Sequence, residues 1–177
     1  MTAAAFRLRS ARLDLRPAGP GDVTEIFPAI TPTLTRFLSF DPPASMEELA
    51  AIVAFWPSSM AAGHEMHVAI RHLQDGRFLG LCGLHAMQER LPELGIWIRE
   101  SEHGQGYGRE AIAALAEWAF ATLKPDGLLY PVAEQNGPSR RLVESMGGAI
   151  IGERLHPKYR ALVYRIEPPR SSARSSG

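Results

Sequence analysis

The chain has 177 residues, with 19 Lys and Arg balancing 19 Asp and Glu, and 45% of its residues are hydrophobic. That length suits one domain with a sizeable core, and zero net charge argues against a global field drawing the protein to nucleic acid or an anionic membrane. A single cysteine, Cys82, excludes an internal disulfide and fits a reducing compartment, while the absence of a signal-like opening or an apolar run of ~18 residues points to a soluble, cytoplasmic protein.

ARLDLRPA, residues 11–18, alternates apolar and polar positions and stops at Pro17, which predicts a first strand. GPGDV is loop, with Asp22 placed to cap a helix. VTEIFPAI and TLTRFLSF predict short helical pieces broken by Pro28 and Pro32. SMEE, from Ser45, is a capping box in which Glu48 bonds back to the Ser45 amide, and it opens a helix that Pro57 ends or kinks. EMHVAI and FLGLCGL predict a hairpin turning at Asp75-Gly76. ELGIWI is the next strand, and after a glycine-rich loop a helix runs from about Gly108 to Leu123, burying Ile112, Leu115, Ala116, Ala119 and Leu123.

GLLYPVAE predicts another strand, in which Pro131 requires one side free of ladder bonds. GPSRRLVESM is a short helix closed by Gly147-Gly148, and AIIGERL with ALVYRIE forms a final hairpin. The pattern is a mixed α/β fold, one domain over residues 1–168, with a polar, low-complexity tail at 169–177 expected to be disordered. No Cys and His cluster has zinc spacing, and His64 and His67 alternate to opposite strand faces, so no metal site is expected.

EHGQGYGREA carries the strongest chemical signal, with Gly104, Gly106 and Gly108 crowded ahead of an alanine-rich helix. The first amides of a helix lack internal partners and, with the helix dipole, form an anion site. Glycines let such a backbone curl and let a phosphate approach without meeting a Cβ. These glycines, with the amides through Arg109, therefore suit a pyrophosphate, the alternative being a strand-to-helix turn that binds nothing. No Lys-Ser/Thr follows, as a P-loop requires, and the glycine spacing is not that of a Rossmann dinucleotide site.

ELGIWIRESEHGQGYGREAIAALAEWAF, followed by NGPSRRLVESMGG, resembles the GNAT superfamily of acyl-CoA-dependent N-acetyltransferases, and most of all its RimJ/RimL-type branch. ARLDLRPAGPGD and HVAIRHLQDGRFLGLCGLH are similar to that branch as well, so the resemblance covers residues 11–166. It implies a central, mostly antiparallel sheet with splayed fourth and fifth strands, flanked by helices, and acetyl-CoA as acyl donor with no metal. The family's pyrophosphate motif, Gln/Arg-x-x-Gly-x-Gly/Ala, falls on His103, Gly104, Gln105, Gly106, Tyr107 and Gly108, with His103 in place of the usual Gln or Arg. The resemblance further implies that Ile96, Trp97 and Ile98 offer main-chain bonds to the pantetheine arm and that Asn136 contacts the same arm, although Asn also suits a helix N-cap. Arg140 and Arg141 either pair with CoA phosphates or are simply solvated.

Acetyl transfer to nitrogen needs a neutral amine. At pH 7 neutrality costs about 4.6 kcal/mol for a lysine-type amine and about 1 kcal/mol for a protein α-amine. By alignment, Glu93 falls where several family members carry a glutamate base, often acting through water, and a solvated strand-end carboxylate is its plain alternative. His67 and His85 are rival bases. The tyrosine that many members use to protonate the leaving thiolate is replaced by Val143, and Ser139 matches the serine that RimL-type members set near the sulfur. Ser139 could equally be a first-turn helix residue bonding nearby backbone. Cys82 reads as core, and so do Phe55 and Trp56, though the last two could line an acceptor groove.

The expected activity is direct acetyl transfer in a ternary complex to a primary amine, a protein N-terminal α-amine above all. Acetylation of a small amine (amino acid, polyamine or antibiotic) and a non-catalytic acyl-CoA-binding module are the alternatives. The expected partners are acyl-CoA and the acceptor, with no nucleic acid or membrane, in a monomer or homodimer.

Overall fold

The structure is a computed structural model that describes residues 6–169. The tail expected at 169–177 lies, beyond Pro169, outside the described residues. Among the described residues eight strands form one sheet: β1 (Leu8–Arg9), β2 (Leu13–Pro17), β3 (Met66–His72), β4 (Phe78–His85), β5 (Glu93–Ile98), β6 (Leu128–Ala133), β7 (Ala149–His156) and β8 (Tyr159–Ile166). The helices are α1 (Val23–Ile26), α2 (Pro32–Thr35), α3 (Met46–Val53), α4 (Trp56–Ala61), α5 (Tyr107–Thr122) and α6 (Gly137–Glu144). Sheet order is β1-β2-β3-β4-β5-β6-β8-β7, antiparallel throughout except where β5 meets β6. The two-residue β1 was not expected, so the splayed strands anticipated as fourth and fifth are β5 and β6.

Alternation along the strands gives the sheet two apolar faces. Leu13, Leu15, Val68, Ile70, Cys82, Leu84, Leu94 and Ile98 pack with Ala111, Ile112, Leu115, Ala116 and Ala119 of α5. Ala69, Phe78, Leu81 and Trp97 face the other way, onto Val23, Ile26, Leu49 and Val53 of the early helices. A bulge at Leu79–Gly80 sends Leu79 and Leu81 to opposite faces. Gly80 is required there, because a Cβ would lie 2.2 Å from the Trp97 carbonyl oxygen.

The expected helix signals hold in kind and shift in detail. Ser45 caps α3 through the Glu48 amide, but the Glu48 carboxylate bonds the Ala44 amide (2.5 Å) rather than that of Ser45. Pro32 and Pro57 start α2 and α4 instead of ending helices, since a first-turn proline loses no intrahelical bond. Asp22 occupies the α1 cap position without a side-chain cap bond, and its carboxylate takes Arg71 Nη2 (2.7 Å) from β3. Lys158, in the β7–β8 turn, donates to the carbonyls of Thr35 and Phe40, so the final hairpin is tied to the early helical wall. No described helix is long and apolar enough to cross a membrane.

Candidate active site

β5 and β6 run parallel and pair at one position, Glu93 with Leu129, supported by the Leu129 amide on the Pro92 carbonyl (2.8 Å). Beyond that junction β6 pairs only with β8, and Pro131, with no amide hydrogen to give, faces the gap without loss. Along β5, Arg99 donates to the Leu79 carbonyl (2.8 Å), and strand alternation then turns the main-chain groups of Trp97 toward β4 and those of Ile96 and Ile98 toward the gap. The Gly80 contact fixes the Trp97 carbonyl independently. Of the three residues expected to offer main-chain bonds, Ile96 and Ile98 therefore face the opening, while Trp97 is buried in the early-helix core.

The glycine loop follows the end of β5 and leads into α5. Gly104 (φ +77°) and Gly106 (φ +79°) adopt the left-handed conformation, and Gly106 is the N-cap of α5 with no side-chain hydrogen bond to the first amides. Gln105 and Arg109 are exposed beside them. Gly108 lies against Ile96, Ile98 and Leu142, where a Cβ would be in ordinary contact at 3.5–3.7 Å. The His103 ring nitrogen bonds the Ile98 carbonyl (2.6 Å), so this residue braces the loop against β5. Tyr107 is buried beneath the Arg12 guanidinium, 4.7 Å from its ring centroid. Arg12 also donates to the Gln105 carbonyl (3.0 Å) and to Glu110 (2.7 Å), and Ser10 Oγ bonds the same carboxylate (2.6 Å).

Asn136 caps α6, its side-chain oxygen accepting from the Ser139 amide (3.3 Å). Ser139 Oγ lies 2.8 Å from the hydroxyl of Tyr130, whose burial pushes its pKa up to about 12. Val143 is fully buried, so the absent tyrosine leaves a core residue and no gap. Arg140 engages the Tyr164 hydroxyl (3.1 Å) and the Glu134 carbonyl, while Arg141 is exposed on the last turn of α6.

Glu93, at the junction, accepts from Arg154 of β7 (2.5 Å). Opposite it on β4 stands His85, whose ring lies over Gly83 and Gly95. His85, His67 and Glu65 share the early-helix face of the sheet, with His67 stacked on Trp56 at 4.3 Å between centroids. Burial pushes the His67 imidazole below its ordinary pKa, against the opposing effect of the hydrogen bond it gives to Glu65. Phe55, expected in the core, is 71% exposed, and with Ile52, Trp56, Glu48 and Glu65 it lines a cavity of about 520 Å³. Cys82 is buried as expected, and desolvation pushes its thiol pKa far up.

Tyr130, Arg154, Arg12 and Glu65 were not singled out from the sequence. The partners of Tyr130, Arg154 and Arg12 lie 9, 61 and 93 residues away in the chain, where no local spacing marks them, whereas Glu65 has His67 two residues on as well as His85 twenty residues on.

Residues 12–149 match the family profile described as the acetyltransferase (GNAT) domain. The chain belongs to the GNAT acetyltransferase family. It is thereby an enzyme of the acetyl-CoA-dependent N-acetyltransferase class. No curated protein matches the chain. Among solved structures, the fold is similar to a candidate ribosomal-protein-serine acetyltransferase from Vibrio cholerae, at 21% identity and TM-score 0.80, over 95% of this GNAT chain and 100% of that one. It is also similar to the Vibrio cholerae spermidine N-acetyltransferase in complex with CoA and spermine (20% identity, TM-score 0.77, 90% and 97% of the two chains). Mycobacterium smegmatis RimJ in complex with CoA-disulfide is a third likeness (18% identity, TM-score 0.78, 88% and 81%). All three likenesses speak to the fold.

Proposed function

We propose that this GNAT enzyme acetylates the α-amine of a protein N-terminus, in a ternary complex with acetyl-CoA in the β5–β6 opening. The observation that carries this is the single Glu93–Leu129 junction beneath a bare-amide helix start, which leaves a slot edged by the main chain of Ile96 and Ile98. The amides from Gly104 through Arg109 fit a pyrophosphate at the head of that slot, with Asn136 beside the pantetheine path. When bound, acetyl-CoA supplies an activated thioester. Glu93 Oε1, the oxygen not engaged by Arg154, takes the proton of the attacking nitrogen directly or through water. As the carbon–nitrogen bond forms and the carbon–sulfur bond breaks, Ser139 Oγ donates a hydrogen bond to the departing thiolate, oriented by Tyr130. An α-amine costs only about 1 kcal/mol to neutralise at pH 7, which matches so modest a proton-transfer set.

Acetylation of a small polyamine is the second reading, supported by the cavity where Glu48 and Glu65 stand beside Phe55 and Trp56, a lining suited to an extended cation. Release of CoA thiol separates the two, measured with acetyl-CoA against peptides with free N-termini, the same peptides blocked, and spermidine. The proposal expects turnover with the free peptides alone. Turnover with spermidine alone transfers the assignment to the second reading, and tight acetyl-CoA binding with no thiol release from any amine overturns both in favour of a binding module.

A further inference from the structure

Glu65, immediately before β3, and His67, within it, are two residues apart and bond each other on one sheet face, and His67 pairs with Gly83, two residues before His85 on β4. Three potential ligands thus converge from two adjacent strands. Their donor atoms all lie within 4.8 Å of one another. Glu65 Oε2 is 3.0 Å from His67 Nε2, and Glu65 Oε1 is 3.8 Å from His85 Nδ1. Two imidazoles on one tetrahedral zinc, each nitrogen about 2.0–2.1 Å from the ion, have donor atoms about 3.3 Å apart and ring centroids roughly 5 Å apart. The His67 and His85 centroids are 5.5 Å apart. The centroid spacing is thus close to that arrangement, and a carboxylate rotation with a small ring adjustment would bring the three donors onto one ion.

Both rings are already held. His67 is stacked on Trp56 with an interplanar angle of 12°. His85 rests over Gly83 and Gly95, where a Cβ at either position would come within 3.5 Å of its Nε2. That contact leaves Nδ1 turned toward Glu65. All three residues are only partly buried, and Glu65 also lines the cavity beside α3 and α4, which gives an ion an entry path and room for a water as fourth ligand.

We propose that Glu65, His67 and His85 form a binding site for a divalent transition-metal ion of the zinc class. Two imidazole nitrogens with one carboxylate suit zinc and its first-row neighbours, whereas magnesium and calcium favour all-oxygen shells. The site lies on the face of the sheet opposite α5, and because His85 faces Glu93 across the β4–β5 ladder, the ion puts positive charge one strand from that carboxylate. The inference stands apart from the identity of the acceptor amine.

Competition between the full-length chain and a chromogenic zinc indicator tests it, with acetyl-CoA affinity measured in parallel as a check on the fold. The expected result is one zinc per wild-type chain, and weaker binding in the His67→Ala/His85→Ala variant by at least the roughly 10- to 100-fold that losing even an outer-shell partner costs. Should the double variant fail to fold, Glu65→Gln, altered at a partly exposed position, decides the matter by the same criterion. Cobalt in place of zinc adds a second readout, with visible absorption bands in the wild type that the variants lack. No zinc taken up by the wild type, or equal affinity in wild type and folded variants, overturns the proposal.

Discussion

Tyr130 and Ser139 form the pair on which the departing side of the proposed reaction depends. The phenol is 2% exposed, and burial favours its neutral form, moving its pKa from 10.0 to about 12, with the Ser139 hydrogen bond acting in the lowering direction. At neutral pH Tyr130 therefore remains protonated and serves Ser139 as a fixed partner. The linkage has a definite sign. The folded state keeps a proton that the unfolded chain releases above pH 10.0, so this contribution to stability is complete below that pH and is lost as pH rises through about 12. An alkaline titration followed by tyrosinate absorbance should show a last step near pH 12 that Tyr130→Phe abolishes; persistence of that step in the variant would assign it to another tyrosine. The residue scale is also where sequence and structure diverge most. The turn of left-handed glycines at the start of α5 was legible because a backbone motif is local, and Asn136 showed its capping side from residue type alone, whereas the His103 contact with the Ile98 carbonyl was not legible. The Ser139–Tyr130 contact and the Glu93–Arg154 pair depend on strand register and were not.

Helix α5 presents the proposed anion site, and its first turn is held from outside by Glu110. That carboxylate accepts from Ser10 Oγ, the Arg12 amide and the Arg12 guanidinium, which tie it to the β1–β2 turn, while Arg12 reaches on to the Gln105 carbonyl. Burial works against the charged form of Glu110, but these partners together outweigh it and hold the carboxyl below its ordinary range. Glu110→Gln is expected to lower unfolding stability by about 1.5–3 kcal/mol, the usual worth of hydrogen bonds to a charged group. Urea denaturation at neutral pH checks this, and an unchanged midpoint contradicts it. Element boundaries followed how much of each signal was local. β5 was read at its observed limits, Glu93–Ile98, because a β-rich apolar run ends there at a charged turn. β1 was missed because two residues carry no periodicity. Pro32 and Pro57 were read as breakers because sequence alone does not say on which side of a proline the helix lies.

At the scale of the molecule, one twisted sheet separates two tasks. In the proposed function the α5 face and the β5–β6 gap take the acyl donor, and the face carrying the early helices, Glu65, His67, His85 and Glu93 takes the acceptor. The fold was legible because strand, helix and turn signals agreed along the chain. The grouping of His67, His85, Glu93 and Arg154 was not, because these residues lie on β3, β4, β5 and β7 and meet only after the sheet forms. Binding of the acyl donor is the claim from which the other assignments follow, and titration calorimetry of the folded chain with acetyl-CoA tests it most directly. One site per chain is predicted, with Gly106→Val binding roughly tenfold more weakly, since a β-branched residue in the left-handed conformation costs about 1–2 kcal/mol and about 1.4 kcal/mol is tenfold in affinity. A wild-type chain that yields no binding heat and no thermal stabilisation at saturating acetyl-CoA would contradict the account.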